Sequence, residues 1–139
     1  MSDFSLKIPS SIYPLARMRR NRRHDWIRDL VAETSLAAKD FIWSIFVREN
    51  SLSPEISSMP DIYRYSVDEL TDAVGIAGDL GLRAIALFPV IESEKRTHDA
   101  RELFNPSGVL YKAIQVLKKN FPHIGVITDP ALDSFTDHG

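Results

Sequence analysis

An α/β fold built on a parallel sheet is what this sequence predicts, and three observations carry the prediction. The runs Phe41–Val47, Arg83–Phe88 and His123–Thr128 are rich in apolar and β-branched residues and read as strands. Amphipathic stretches with helix signals at their ends separate them. The strand runs are apolar almost without interruption, as strands covered on both faces are.

Residues 1–16 contain Pro9, Pro14 and the pair Ser10-Ser11, with no sustained periodicity, and read as an extended arm. Phe4, Leu6, Ile8, Ile12, Tyr13 and Leu15 are too many apolar residues for a solvated tail. Such an arm is expected to lie on a surface, most economically that of a second copy of the chain. From Asp25 to about Thr34, Trp26, Ile27, Leu30 and Val31 fall at helical spacing. After the first strand, residues 48–65 form a long loop with Pro54 and Pro60, in which Ile56 or Ile62-Tyr63 is placed for a short hairpin.

Ser66-Val-Asp-Glu69 is a capping box, a serine cap with a glutamate three residues on. Val67, Leu70, Ala73, Val74, Ala77 and Leu80 then make one apolar face, and Gly81 is placed to end the helix. The second strand extends to Phe88 or Ile91. Residues 92–104 are charged and read as mobile. Asn105-Pro106 supplies a cap followed by a first-turn proline. Val109, Leu110, Ala113, Ile114 and Leu117 line the next helix, which closes on Lys118-Lys119 before the third strand. Three strands and two crossover helices are not a complete sheet fold. The reading is either a piece of a larger fold or a chain that borrows the rest from a partner.

Composition narrows the class. With 44% hydrophobic and 26% charged residues the chain is an ordinary globular protein rather than a disordered one. The longest apolar runs, such as Ala84–Ile91, are far too short for a bilayer, so no membrane partner is expected. The start lacks a basic segment followed by an apolar core, so no secretory leader is expected. The absence of cysteine rules out disulfides and thiolate-bound metal, and fits a cytoplasmic protein. Residues 1–23 hold six basic groups against one acid, while the remainder carries a net charge of -7. The run Arg17-Met-Arg-Arg-Asn-Arg-Arg23 lacks interleaved aromatics and an adjoining nucleic-acid fold, so a contact with an acidic subunit surface is expected rather than nucleic acid.

Chemistry is expected at the carboxyl ends of the strands. Asp129, directly after the third strand, is the candidate catalytic residue, as an acid–base group or one that orients a substrate amine. The alternative is an aspartate that caps the loop backbone. Asp133, Asp137 and His138 follow in a polar loop; as ligands they would suit Mg²⁺ more than Zn²⁺, and otherwise they are solvated. His24, His98 and His123 are isolated in sequence and read as surface residues.

A set of ordered motifs goes further. Arg17-x-Arg-Arg-x-Arg-Arg23, Ser57-Ser-Met-Pro-Asp-Ile-Tyr-Arg64, Ala86-Leu-Phe-Pro-Val90, Phe104-Asn-Pro-x-Gly108, and Ile127-Thr-Asp-Pro-Ala-Leu-Asp133 with His138-Gly139 together resemble the N-terminal portion of the porphobilinogen synthases, or 5-aminolevulinate dehydratases. The resemblance runs from about Pro9 to the end. It implies a basic N-terminal arm over residues 1–23 that embraces a neighbouring subunit, usually in octamers. Residues 24–139 would be the first βα units of a (β/α)₈ TIM barrel, cut after its third main strand. The family joins two molecules of 5-aminolevulinate into porphobilinogen, the pyrrole precursor of haem.

Asp129 matches the family's active-site aspartate after the third strand. Ala131 and Asp133 match cysteines of the zinc-dependent members, so the chain resembles the branch without cysteine-bound Zn²⁺, often responsive to Mg²⁺, with Asp133 as the metal-site residue. Pro130 and Ser134 depart from the family's usual valine and proline. The family's two Schiff-base lysines match none of this chain's lysines, so residues 1–139 are expected to be inactive alone. The competing expectation is a stand-alone module that binds a subunit, for assembly or regulation, without catalysis.

Overall fold

The computed structural model describes residues 13, 14, 17, 19–50, 52, 54–129 and 131–139. Most of the predicted arm, and Pro130, lie outside the described residues. The chain divides into two compact units, residues 1–35 and 36–139, where the sequence placed a division after Arg23. The first unit contains the short helix α1 (Asp25–Leu30). It stops earlier than the periodicity predicts, with the Val31 N–H donating to the carbonyls of Ile27 and Asp29.

The second unit contains strands β1 (Ile42–Arg48), β2 (Arg64–Tyr65), β3 (Ala84–Val90) and β4 (Gly125–Thr128), and helices α2 (Val67–Asp79) and α3 (Val109–Asn120). The sheet order is β2-β1-β3-β4 and every pairing is parallel. Ile42 pairs with Ala84 and Arg48 with Val90, while Ala84 pairs with Gly125 and Leu87 with Thr128. Strand β2 is absent from the sequence reading. It is two residues long, too short for an alternation signal, and is held by its pairing to Phe46 and Val47. The expected hairpin reduces to one antiparallel bridge between Glu55 and Tyr63.

Ile45 and Val47 of β1 and Ile85 and Leu87 of β3 are buried against Leu70 and Val74 of α2 and Val109, Ala113 and Leu117 of α3. Each of these side chains larger than alanine contributes roughly 1.5–3 kcal/mol by leaving water. The opposite face is not covered: Ile42, Ser44, Phe88 and Ile127 are exposed. This corrects the expectation of a sheet buried on both faces. The long strands β1, β3 and β4 stand in chain order across the sheet, so crossovers of one hand put both helices on the same side. That winding curls a sheet toward a barrel, with the bare face inward.

The ends of α2 follow the sequence. Ser66 Oγ accepts from the Glu69 N–H at 3.3 Å while the Glu69 carboxylate accepts from the Ser66 N–H at 2.7 Å. Gly81 takes φ +96°, and the Leu82 and Gly81 N–H groups donate to Ala77 O and Gly78 O at 3.0 Å each, a Schellman closure. The start of α3 differs from expectation. Its cap is Gly108, not Asn105. The Asn105 side chain instead accepts from the Ser107 N–H at 3.0 Å and donates to the Glu102 carboxylate. A Cβ on Gly108 would stand 3.0 Å from Asn105 O and 3.1 Å from Glu102 Oε1, which is why glycine sits at this cap.

Candidate functional site

Because the sheet is parallel, Arg48, Val90 and Thr128 end their strands along one edge, and the loops that follow share one rim. Asp129 is the first residue past β4 and is exposed. Two positions beyond Ile127, it continues the alternation of the uncovered face. Its Oδ1 accepts from the Ala131 N–H at 3.2 Å, so in this state it caps its own loop, the alternative weighed for it from the sequence.

The loop beyond is fixed by Phe135 and Thr136, both buried. Phe135 O accepts from the Thr97 N–H at 3.2 Å, and Thr136 Oγ1 donates to Asp133 O at 3.4 Å. Asp133, Thr136, His98, Phe104, Leu132 and His138 line a cleft of about 360 Å³ between this loop and residues 98–104. Asp133 is exposed. Among the described residues it joins no group of three close metal-type ligands.

His98 is not isolated as its sequence position implied. Its ring lies 4.8 Å from that of His138, tilted by 39°. His138 Nδ1 is also 3.1 Å from Asp137 Oδ1. Residues 92–104, read as mobile, form two short 3₁₀ turns, Ser93–Lys95 and Arg101–Phe104. Lys95 holds the first: its ammonium pairs with Glu49 and, at 3.1 Å, with Glu92. The hydrogen bond from Lys95 to Glu49, then that to Glu92, raises the Lys95 pKa above its ordinary value. The Asp99 carboxylate accepts from Arg101 Nε at 2.7 Å and from Thr97 Oγ1 at 2.9 Å. These bonds lower its pKa, Arg101 contributing most.

The rim under β1 is built around Arg48, which is buried although charged. Its guanidinium donates to Arg64 O and Glu49 O at 3.1 Å each and to both oxygens of Glu69. The Ser66 N–H, then the Ser66 hydroxyl, hold the Glu69 carboxyl below its usual pKa, with Arg48 adding to the effect. Sequence reasoning found the capping box but not Arg48. An arginine ending an apolar strand was the available signal, since a charge so placed needs partners.

The sequence pattern of delta-aminolevulinic acid dehydratase matches residues 15–139. A delta-aminolevulinic acid dehydratase of Bradyrhizobium diazoefficiens is 40% identical over 124 residues, 88% of this chain and 35% of that protein. One of Chlamydia pneumoniae is 40% identical over 131 residues, 94% of this chain and 40% of that protein. The chain thus spans 35 to 40% of the length of these curated relatives. A crystal structure of the Toxoplasma gondii delta-aminolevulinic acid dehydratase (porphobilinogen synthase), in complex with the reaction product porphobilinogen, superposes with a TM-score of 0.80 at 38% identity. It covers 87% of this chain and 34% of the other. The parallel sheet with helices on one side therefore corresponds to part of a (β/α)₈ barrel, and the chain belongs to the delta-aminolevulinic acid dehydratase family.

Proposed function

We propose that this chain supplies the N-terminal third of a porphobilinogen synthase, which condenses two molecules of 5-aminolevulinate into porphobilinogen. The observation that carries the reading is the place of Asp129, just past β4 on the carboxyl rim, in line with the sheet face that a barrel turns inward. There a carboxylate can hold a substrate ammonium or take a proton from it. Rotation of its side chain would release the Ala131 N–H and free the oxygen for substrate.

The same reading makes residues 1–139 inactive by themselves. Schiff-base formation needs a neutral amine in the pocket. Lys95 is on the rim, but its two carboxylate partners favour the charged form. A cysteine-bound Zn²⁺ does not fit this chain, which has no cysteine. Asp133 offers a single carboxylate, which suits a Mg²⁺ that keeps most of its water. The ion's contribution there would be positive charge near the substrate. Assembly into homo-oligomers through the N-terminal arm and a cytoplasmic location belong to the same proposal.

An assay for porphobilinogen on the 139-residue chain, and on residues 15–139 joined to the remaining segment of a family member, tests the reading. Activity confined to the joined chain, and lost with Asp129→Asn, is expected. Turnover by the 139-residue chain alone would overturn the inactivity.

A second reading, a subunit-binding module, is favoured by an apolar groove of about 590 Å³ lined by Leu36, Phe41, Trp43, Ile76, Leu80 and Leu82. It predicts self-association without catalysis in either chain.

A further inference from the structure

We propose that His98, Asp137 and His138 bind a transition-metal cation, Zn²⁺ by preference, at the edge of the cleft between the two carboxyl-rim loops. The three residues each offer a ligand atom, and these atoms lie within 4.8 Å of one another. Ligands about 2.0–2.1 Å from a tetrahedral Zn²⁺ stand roughly 3.4 Å apart. The closure required is therefore about 1.4 Å at most, within reach of side chains that are all exposed.

The donor set chooses the ion. Two imidazoles and one carboxylate are a zinc-type set with a fourth position left for water. Mg²⁺ and Ca²⁺ prefer oxygen ligands and are disfavoured. The proposed site is thus chemically distinct from the single carboxylate of Asp133, which lines the same cleft. It rests on the geometry of three side chains and not on the family reading.

The backbone already brings these residues together. His98 and His138 are distant in sequence, yet the Thr97 N–H donates to Phe135 O at 3.2 Å, beside His98 and two residues before Asp137. Ala100 in the first loop and Phe135 in the second are buried and anchor both loops. The entropy of bringing the ligands together is thus largely met by folding, before a cation arrives. The contact between Asp137 Oδ1 and His138 Nδ1 keeps carboxylate and ring adjacent until the ion replaces it. Bound, the cation would cross-link the loop carrying His98 to the loop carrying Asp133.

The test is a calorimetric titration of the metal-free 139-residue chain with Zn²⁺ alone, with Co²⁺ as a spectroscopic substitute. One Zn²⁺ per chain at micromolar affinity is expected, with visible Co²⁺ bands of tetrahedral intensity. His98→Ala and His138→Ala should each weaken binding by at least ~10-fold. Zn²⁺ should raise the melting temperature of the wild-type chain but not of His98→Ala. Asp133→Asn, outside the proposed ligand set, should leave the Zn²⁺ affinity unchanged. Circular dichroism checks that the variants keep the wild-type fold, as expected for exposed positions. Absence of Zn²⁺ binding, binding indifferent to His98→Ala, binding abolished by Asp133→Asn, or equal competition by Mg²⁺ would each overturn the proposal.

Discussion

Arg48 Nη2 stands 3.0 Å from Glu69 Oε2, joining the last residue of β1 to the first turn of α2. The same guanidinium donates to Arg64 O, so one side chain ties β1, the two-residue strand β2 and the helix that follows. Arg48→Met keeps much of the side-chain volume and removes every one of these bonds. The expected cost is about 2–3 kcal/mol, because the lost bonds are charge-assisted and Arg48 is buried. Urea unfolding measures it, and amide exchange should quicken first around Arg64–Tyr65. A loss below about 0.5 kcal/mol, typical of an exposed surface change, would show the network to be incidental.

Glu69 makes part of this stability dependent on acid. Its pKa is lowered in the folded chain from the ordinary value of 4.5. Its contribution is therefore fully present above about pH 4.5 and is lost as pH falls through the lower folded value. Glu69 is half exposed, so solvent screening keeps the effect modest. Glu69→Gln should flatten the acid limb of a stability profile while leaving its slope above pH 6 unchanged. An unaltered acid limb would mean that the carboxylate is equally well solvated in the unfolded chain.

Gly81→Ala should destabilise the chain by about 1 kcal/mol or more. At φ +96° an L side chain is strained whatever space surrounds it, and here the nearest atom to an added Cβ, Ala38 Cβ at 3.5 Å, is at ordinary contact distance. The cost is therefore backbone strain rather than crowding, and Gly81→Asn should recover part of it. Equal losses for alanine and asparagine, measured by thermal melts, would point to crowding instead.

Lys95 should not react with 5-aminolevulinate. Its hydrogen bonds to Glu49 and Glu92 stabilise the ammonium over the neutral amine, and the stability that its pairs add is present below the ordinary 10.5 and lost as pH rises through the higher folded value. Borohydride reduction of the 139-residue chain with 5-aminolevulinate at pH 8 should leave the mass of the Lys95 peptide unchanged. A reduced adduct on Lys95 would contradict both the charged state of this ammonium and the inactivity proposed for the chain alone.

Signals carried by neighbouring residues were legible before the structure. Ser66 and Glu69 announced the start of α2 and Gly81 its end, because caps act over three or four residues. The apolar runs located β1, β3 and β4 within one or two residues. Asn105-Pro106 misled because an asparagine satisfies a turn as readily as a helix start, and here it accepts from Ser107. The charged stretch 92–104 looked mobile because its anchors, Glu49 for Lys95 and Phe135 for Thr97, are far away in the chain. The meeting of His98 with His138 has no local signature either. Asp129 was placed correctly on the rim, since a residue after a parallel strand has nowhere else to go, but its present bond to Ala131 depends on the loop's path.

The proposed role of Asp129 in porphobilinogen synthesis is best measured in a chimera in which residues 15–139 replace the matching segment of the Bradyrhizobium diazoefficiens dehydratase. The folded chimera should form porphobilinogen, and Asp129→Asn should lower its kcat by about 100-fold or more, the scale of a lost acid–base group. A folded, assembled chimera that is inactive, or one in which Asp129→Asn turns over at the parent's rate, would contradict it.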